Sequence, residues 1–248
     1  GNKQREGYVF MVRDQLEEPI RGLKNVLSID PEVSLTEEAM ETCRWMKRRY
    51  LCKYIDGVKC FTPAGSSSKR GKKRDPLAEK EYVPDQPKEL NPEQKAAMEQ
   101  IRKRLSEGEH RILMIQGVTG SGKTEIYLQA IEEVVASGRQ AIMMVPEISL
   151  TPQTVEVFQR RFGRRVAVMH SGLTMGERAD EYKRIRNGDA DVVIGTRSSV
   201  FAPLDNLGLI VMDEEQEKCY QSELSPKFHA RDVAKWRCAY HKAMLLLS

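Results

Sequence analysis

A chain of 248 residues has room for one large or two smaller domains, and 40% hydrophobic residues can supply a core. With 31% charged residues and no apolar run near the ~18 residues of a membrane span, a helical membrane protein is excluded. The net charge of +4, from 40 basic against 36 acidic residues, is too mild to establish a nucleic-acid partner by itself.

The N-terminus, Gly1-Asn2-Lys3-Gln4-Arg5, lacks an initiator methionine, and no signal-like apolar segment follows it. A fragment or a processed chain is expected. Cysteines at 43, 52, 60, 219 and 238 form no Cys-x-x-Cys pair. Such a scattered, odd set suits the reduced thiols of a cytoplasmic protein better than a disulfide framework or a zinc site.

Residues 1–61 read as a section of their own. Tyr8 to Val12 predicts a strand and Leu23 to Ile29 a weaker one. Ser34-Leu35-Thr36-Glu37 fits a capping box, with Ser34 as N-cap and Glu37 at N3, opening a helix to about Tyr50 or Leu51. Trp45 and Tyr54 fit either aromatic core packing or stacking on bases. Arg44, Lys47, Arg48, Arg49 and Lys53 fall close together, as a solvated face or as a nucleic-acid contact. Residues 62–88 change character: Gly65-Ser66-Ser67-Ser68, then the basic run Lys69-Arg70-Gly71-Lys72-Lys73-Arg74, then Pro76, Pro84 and Pro87, which together read as a flexible linker.

From Leu90 the pattern is regular. Asn91 suits an N-cap, Pro92 the first helical position and Gln94 N3, with Met98, Ile101 and Leu105 continuing the helix. Strands are predicted at 112–115, 140–145, 166–169, 192–195, 209–212 and 243–247, and helices at 124–136, 152–162, 176–186 and 226–239. Strands and helices alternating at this spacing give an α/β fold, a parallel sheet with helices on both faces. Ligands of such sheets bind beyond the C-terminal ends of the strands.

The chemistry-bearing residues fall at those ends. Gly117-Val118-Thr119-Gly120-Ser121-Gly122-Lys123-Thr124 lies between a predicted strand and a helix, the context of a phosphate-binding loop. Its glycines let backbone N–H groups face phosphate oxygens. Lys123 would reach the β- and γ-phosphates, and the Thr124 hydroxyl would hold Mg²⁺. Far along the chain, Met212-Asp213-Glu214-Glu215-Gln216 closes an apolar strand. There Asp213 would hold Mg²⁺ through its water shell, and Glu214 would polarise the attacking water. Gln94 either completes its helix cap or reads the adenine edge, and the two are compatible. The strand ends at Pro146–Gln153, His170–Gly172 and Gly195–Ser199 offer hydroxyls, amides and N–H groups for a sugar–phosphate backbone, or for helix caps, Thr151 being a candidate for either.

In this order the blocks resemble superfamily 2 helicases. In wording, Gly117–Glu125, Val145–Gln153, His170–Leu173, Ile194–Pro203 and Asp213–Glu215 are similar to the primosomal protein N′ (PriA) family of replication-restart helicases. The resemblance is specific over 89–248 and looser over 7–60. It implies a RecA-like first helicase lobe at 89–248, preceded by a small partial α+β DNA-binding segment. It also implies 3′-to-5′ unwinding of DNA with ATP and Mg²⁺, and primosome assembly at stalled or repaired forks. Expected partners are single-stranded and forked DNA, helicase-loading proteins and single-stranded DNA-binding protein, with no membrane. On the DNA side the resemblance places Thr151, Gln153 and Arg197. It adds Tyr220 and Phe228 from an aromatic-rich loop, Tyr220–Glu223 through Phe228–Asp232, that couples single-stranded DNA to hydrolysis.

Relative to that family, the winged-helix domain expected between the DNA-binding segment and the helicase core is missing, with only the 62–88 linker in its place, and Gln216 replaces the usual His. The second lobe, with its γ-phosphate arginine and zinc-binding cysteines, is expected beyond Ser248, so zinc is expected only there. On that expectation this chain alone binds nucleotide weakly and turns it over poorly. The alternatives are a fork-remodelling helicase of the RecG type, or a non-enzymatic DNA- or partner-binding module with a vestigial ATPase lobe. Intact Lys123, Thr124, Asp213 and Glu214 argue against decay.

Overall fold

The computed structural model describes residues 7–12, 14–15, 21–22, 24–29, 34–62, 84–118 and 120–248. Backbone contacts divide the chain into residues 1–34 and residues 35–248. In the first unit, the described residues 7–12 and 24–29 form no strand, contrary to the sequence expectation. A half-buried strand needs one apolar face packed away from water. Here Val12 and Ile29 are each 82% exposed, and Val9, Met11, Val26 and Leu27 are exposed as well.

The second unit opens with helix α1, Glu37–Tyr50. Its N-cap is Thr36, two residues later than the Ser34 expected. The Thr36 backbone is extended, and its Oγ1 accepts from the Ala39 N–H at 3.1 Å. Starting there puts Glu38 in the first turn, where it is buried. Leu51 closes the helix in the left-handed conformation, and a short helix, α2 (Tyr54–Phe61), folds back on it. A side chain at Gly57 would stand 3.2 Å from Cys43 Sγ, so glycine permits the close approach of the two helices. Sequence periodicity did not reveal α2, whose eight residues make little more than two turns.

Helix α3 (Pro92–Ser106) begins as its sequence dictates, with the Asn91–Gln94 capping box and Pro92 in the first turn. Then alternate β1 (Arg111–Met114), α4 (Lys123–Ala136), β2 (Gln140–Met144), α5 (Pro152–Phe162), β3 (Val166–Met169), α6 (Met175–Arg186), β4 (Val192–Gly195), β5 (Leu207–Met212), α7 (Ala230–His241) and β6 (Met244–Leu247). The six strands form one parallel sheet in the order β1-β6-β5-β2-β4-β3. Met144 pairs with both Gly195 and Met212, so the C-terminal ends of β2, β4 and β5 lie side by side.

Burial explains the strand sequences. Strands β4, β5 and β6 are buried at every position, and their runs of Val, Ile, Leu and Met suit a sheet covered on both faces. Alternate residues such as Leu209, Val211, Met143 and Ile194 share a core with Met98, Ile101, Ile126, Tyr127 and Ile131 from α3 and α4. Each such side chain contributes roughly 1.5–3 kcal/mol by leaving water. Helix α7 packs on β5 and β6, and α1 packs on α7. No helix among the described residues is long and apolar enough to cross a membrane.

Candidate nucleotide site and its surroundings

The loop 117–124 is shaped by its glycines. Gly120 and Gly122 adopt φ of 82° and 81°, where a side chain is strained. At Gly122 a Cβ would also lie 2.4 Å from Gln94 Nε2, and at Gly117 it would lie 2.8 Å from Ser121 Oγ. The Ser121 N–H donates to Val118 O at 3.1 Å, curling the loop. Thr119 lies outside the described residues. Gly122 is the N-cap of α4, so the first-turn N–H groups of that helix face the loop.

Lys123 spans the loop. Its Nζ donates to Gly117 O at 2.9 Å and lies 3.8 Å from Glu214 Oε1. Thr124 is exposed beside it, as is Val118. The loop and the acidic strand end, remote in sequence, therefore share one site.

Asp213 is placed by the sheet, because its N–H donates to Met144 O at 3.0 Å at the end of β2. Its Oδ1 accepts from the Tyr127 hydroxyl at 3.0 Å, so α4 carries both Lys123 and a tether for the carboxylate. Burial pushes the Asp213 carboxyl above its ordinary pKa. The Tyr127 hydrogen bond and the Lys123 charge oppose that shift, and the Glu214 charge adds to it. Glu214 takes a left-handed backbone, φ 48°, uncommon for a residue with a side chain. Gln216 Nε2 donates to Glu214 Oε2 at 2.6 Å, so the glutamine holds the carboxylate.

Gln94 spends both ends of its amide locally. Oε1 accepts from the Asn91 N–H at 3.0 Å, and Nε2 donates to Ser121 O at 2.9 Å. Its capping role is realised, and it also grips the loop. The segment before α3 is strapped down: Lys88 N–H donates to Glu125 Oε1 at 3.1 Å, and Gln129 Nε2 donates to Lys88 O at 3.0 Å. Glu125 in turn pairs with the buried Arg161 of α5 at 2.8 Å.

The residues expected to face DNA divide into two groups. Thr151 caps α5, its Oγ1 accepting from Thr154 N–H at 3.2 Å, and Gln153 is exposed two residues on, in the first turn. Ile148, 86% exposed, stands nearby on the same 146–153 connection. Arg197, Tyr220 and Phe228 are committed inward instead. The Arg197 guanidinium donates to Cys219 O and Gln221 O, pinning the backbone on either side of Tyr220. Tyr220 is fully buried and its hydroxyl donates to Asp213 O at 2.7 Å. Phe228 is 6% exposed and packs edge-on against Phe201. Both rings, expected on the DNA side, are turned into the protein in this conformation. The exposed positions of the loop are Gln221, Glu223, Leu224, Ser225 and Lys227.

Sequence reasoning missed Tyr127, which reads as an ordinary core position of α4. It also missed the pairing of Glu38 with Arg237, since neither residue stands in a recognisable motif.

Two family models match the chain. One, described as DEAD/DEAH box helicase, matches residues 91–247. The chain belongs to the DEAD/DEAH box helicase family. The other, described as the 3′ DNA-binding domain, matches residues 1–63. Among curated relatives, the replication restart protein PriA of Bacillus subtilis is 51% identical over 174 residues, 70% of this chain and 22% of that protein. PriA of Synechocystis is 39% identical over 235 residues, 90% of this chain and 28% of that protein. PriA of Rickettsia prowazekii is 34% identical over 247 residues, 99% of this chain and 37% of that protein. The chain thus spans between about a fifth and two fifths of the length of these relatives, and the resemblance to PriA read from the motifs holds along nearly the whole helicase-lobe chain.

Proposed function

We propose that this chain forms part of an ATP-dependent, 3′-to-5′ DNA helicase of replication restart, acting in the cytoplasm at stalled or repaired forks. In this reading it contributes an ATP–Mg²⁺ site at 117–124 with Asp213 and Glu214, and surfaces for single-stranded and forked DNA. Helicase-loading proteins and single-stranded DNA-binding protein would be partners of the whole protein, and any zinc would belong to parts outside this chain.

The observation that carries the reading is Lys123 standing between Gly117 O and Glu214, with the strand-end carboxylates beside the first turn of α4. The residues fit the nucleotide. A glycine-lined loop at a helix N-terminus leaves room and N–H donors for phosphate oxygens. Thr124 and the second oxygen of Asp213 would hold Mg²⁺, which neutralises charge on the β- and γ-phosphates when bound. Lys123 would exchange Gly117 O for phosphate oxygens. Glu214, oriented by Gln216, would orient the attacking water and accept its proton. Tyr127 keeps Asp213 in place, and Gln94 would meet adenine from its position against the loop.

A fluorescent ATP analogue titrated with Mg²⁺ tests this. Wild type should bind, and Lys123→Ala should weaken binding by roughly 30-fold, the loss of charge-assisted bonds worth about 2 kcal/mol. Equal binding by both proteins would remove the site from 117–124.

A further inference from the structure

The family match to a DNA-binding domain runs through residue 63, yet residues 35–62 pack with the helicase lobe. The attachment is extensive. One stripe of α1 faces α7. Glu38 accepts from Arg237 at 2.8 and 3.0 Å, Thr42 accepts from Trp236 Nε1 at 3.1 Å, and Trp45 stacks on Trp236 at 5.2 Å. Arg237 is fully buried, and its remaining donors hold Val200 O and Ala202 O at 2.6 and 3.0 Å, so the same side chain fixes the turn that carries Arg197. From α2, Phe61 packs edge-on against Phe201, and Asp56 accepts from Ser225 at 3.3 Å.

The opposite stripe of α1 is open. Arg44, Lys47, Arg48 and Leu51 share it by helical spacing. Lys47 and Arg48 are exposed, and Leu51 is 90% exposed. Leu51 also holds a left-handed backbone, φ 52°, as the C-cap of α1. Tyr54 is 40% exposed, with Lys47 Nζ 4.2 Å from its ring centroid, and Lys53 is exposed between them in sequence. The Asp56–Ser225 bond brings the loop before α7 alongside, with Leu224 81% exposed and Lys227 exposed. Of the acids nearby, Glu41 pairs with Arg44, Asp232 with Arg49, and Asp56 accepts from the Lys53 N–H at 3.1 Å as well as from Ser225. Glu223 is exposed. The cations outnumber these acids.

We propose that this outward corner, Lys47, Arg48, Leu51, Lys53 and Tyr54 with Leu224 of the adjoining loop, binds single-stranded DNA. Cations interleaved with one exposed ring and apolar side chains suit an unpaired strand, whose phosphates meet the ammonium and guanidinium groups while its bases rest on flat apolar surface. A duplex hides its base faces and would use the charges alone. Because the hairpin is held on the lobe by Arg237, a strand lying here is held in fixed relation to the loop that carries Tyr220 and to the turn that carries Arg197. The inference rests on the reading of the chain as DNA-binding.

The test is fluorescence anisotropy of labelled oligo-dT with the 248-residue chain over a salt series. Replacing Lys47, Arg48 and Lys53 together by Gln should lower the affinity about tenfold at low salt. It should also flatten the slope of log affinity against log salt by about 2, three contacts at roughly 0.7 each. Tyr54→Ala should lose about fivefold by itself and retain the salt slope. Both variants should keep the melting temperature, since the altered side chains are exposed. A control replacing Lys95, Lys103 and Arg104 of α3 by Gln should bind as wild type does. Unchanged affinity and slope in the hairpin variants, an equal loss in the α3 control, or an equal loss on duplex of the same length would each overturn the proposal. Failure of the wild-type chain to bind oligo-dT would instead strike the DNA-binding reading beneath it.

Discussion

The proposed nucleotide site around Lys123 and Asp213 and the buried region around Arg197, Tyr220 and Arg237 are both dense in polar side chains, but they use them differently. At the proposed nucleotide site the polar groups keep bonding capacity in reserve. Lys123 gives one bond to Gly117 O, Asp213 has one oxygen taken by Tyr127, and Thr124 is exposed. Around 196–237 the polar groups are spent on the protein itself. Arg197 holds two carbonyls, Tyr220 holds Asp213 O, and Arg237 divides its donors between Glu38 and two further carbonyls. A surface that exchanges ligands needs unsatisfied donors and acceptors in reach of water. A region that holds such a surface in shape needs them satisfied, because a buried unpaired polar group costs about 1–3 kcal/mol.

The comparison predicts the largest stability effects away from the nucleotide. Arg237→Ala should cost about 3–5 kcal/mol in denaturant unfolding, because it leaves Glu38 buried and charged and frees Val200 O and Ala202 O. A loss below about 1 kcal/mol would show that α1 is only loosely attached.

The same pair gives a pH dependence. Burial by itself would raise the Glu38 carboxyl; the Arg237 charge, with hydrogen bonding to His241 and Arg237, overcomes it and holds the pKa at about 2 against an ordinary 4.5. A depressed acid stabilises the fold above its unfolded pKa and loses that contribution as pH falls through the folded one. The contribution, on the order of 3 kcal/mol, is therefore complete above pH 4.5 and fades toward pH 2. Unfolding free energies of wild type and Glu38→Gln should differ most near neutrality and converge in acid. A gap that widened on acidification would contradict the assignment.

A smaller effect separates support from contact. Tyr220→Phe removes only the hydroxyl bonded to Asp213 O and should cost about 1 kcal/mol of stability. Its affinity for oligo-dT should stay within about twofold of wild type, and so should that of Tyr220→Leu. Loss of the ~1–3 kcal/mol typical of a stacked base in Tyr220→Leu would make the ring a contact after all.

Legibility in the sequence followed the same division. The open groups sit in local patterns that announce themselves: Gly117 to Thr124 between a strand and a helix, and Asp213 directly after an apolar run. Strands β2, β4, β5 and β6 were readable because parallel strands buried on both faces are continuous apolar runs. The spent groups depend on long-range partners. Glu38 and Arg237 meet across 199 positions, and no local period marks either of them. The aromatic residues at 220 and 228 were legible as a group, but not the direction in which their rings point. That is decided by their buried partners, Asp213 O for Tyr220 and the Phe201 ring for Phe228. Thr36 displaced Ser34 as the cap because the tertiary pairing of Glu38 chose the helix start, which a local box cannot anticipate.

The central claim is that the loop at 117–124 and the carboxylates at 213–214 are one site. Calorimetric titration of ATP into the chain with and without Mg²⁺, for wild type and for Asp213→Asn, tests it most directly. The account predicts that Mg²⁺ strengthens binding to wild type, and that Asp213→Asn abolishes most of that gain while still binding ATP alone. ATP binding to wild type that is indifferent to Mg²⁺, or a Mg²⁺ gain of the same size in Asp213→Asn, would contradict it.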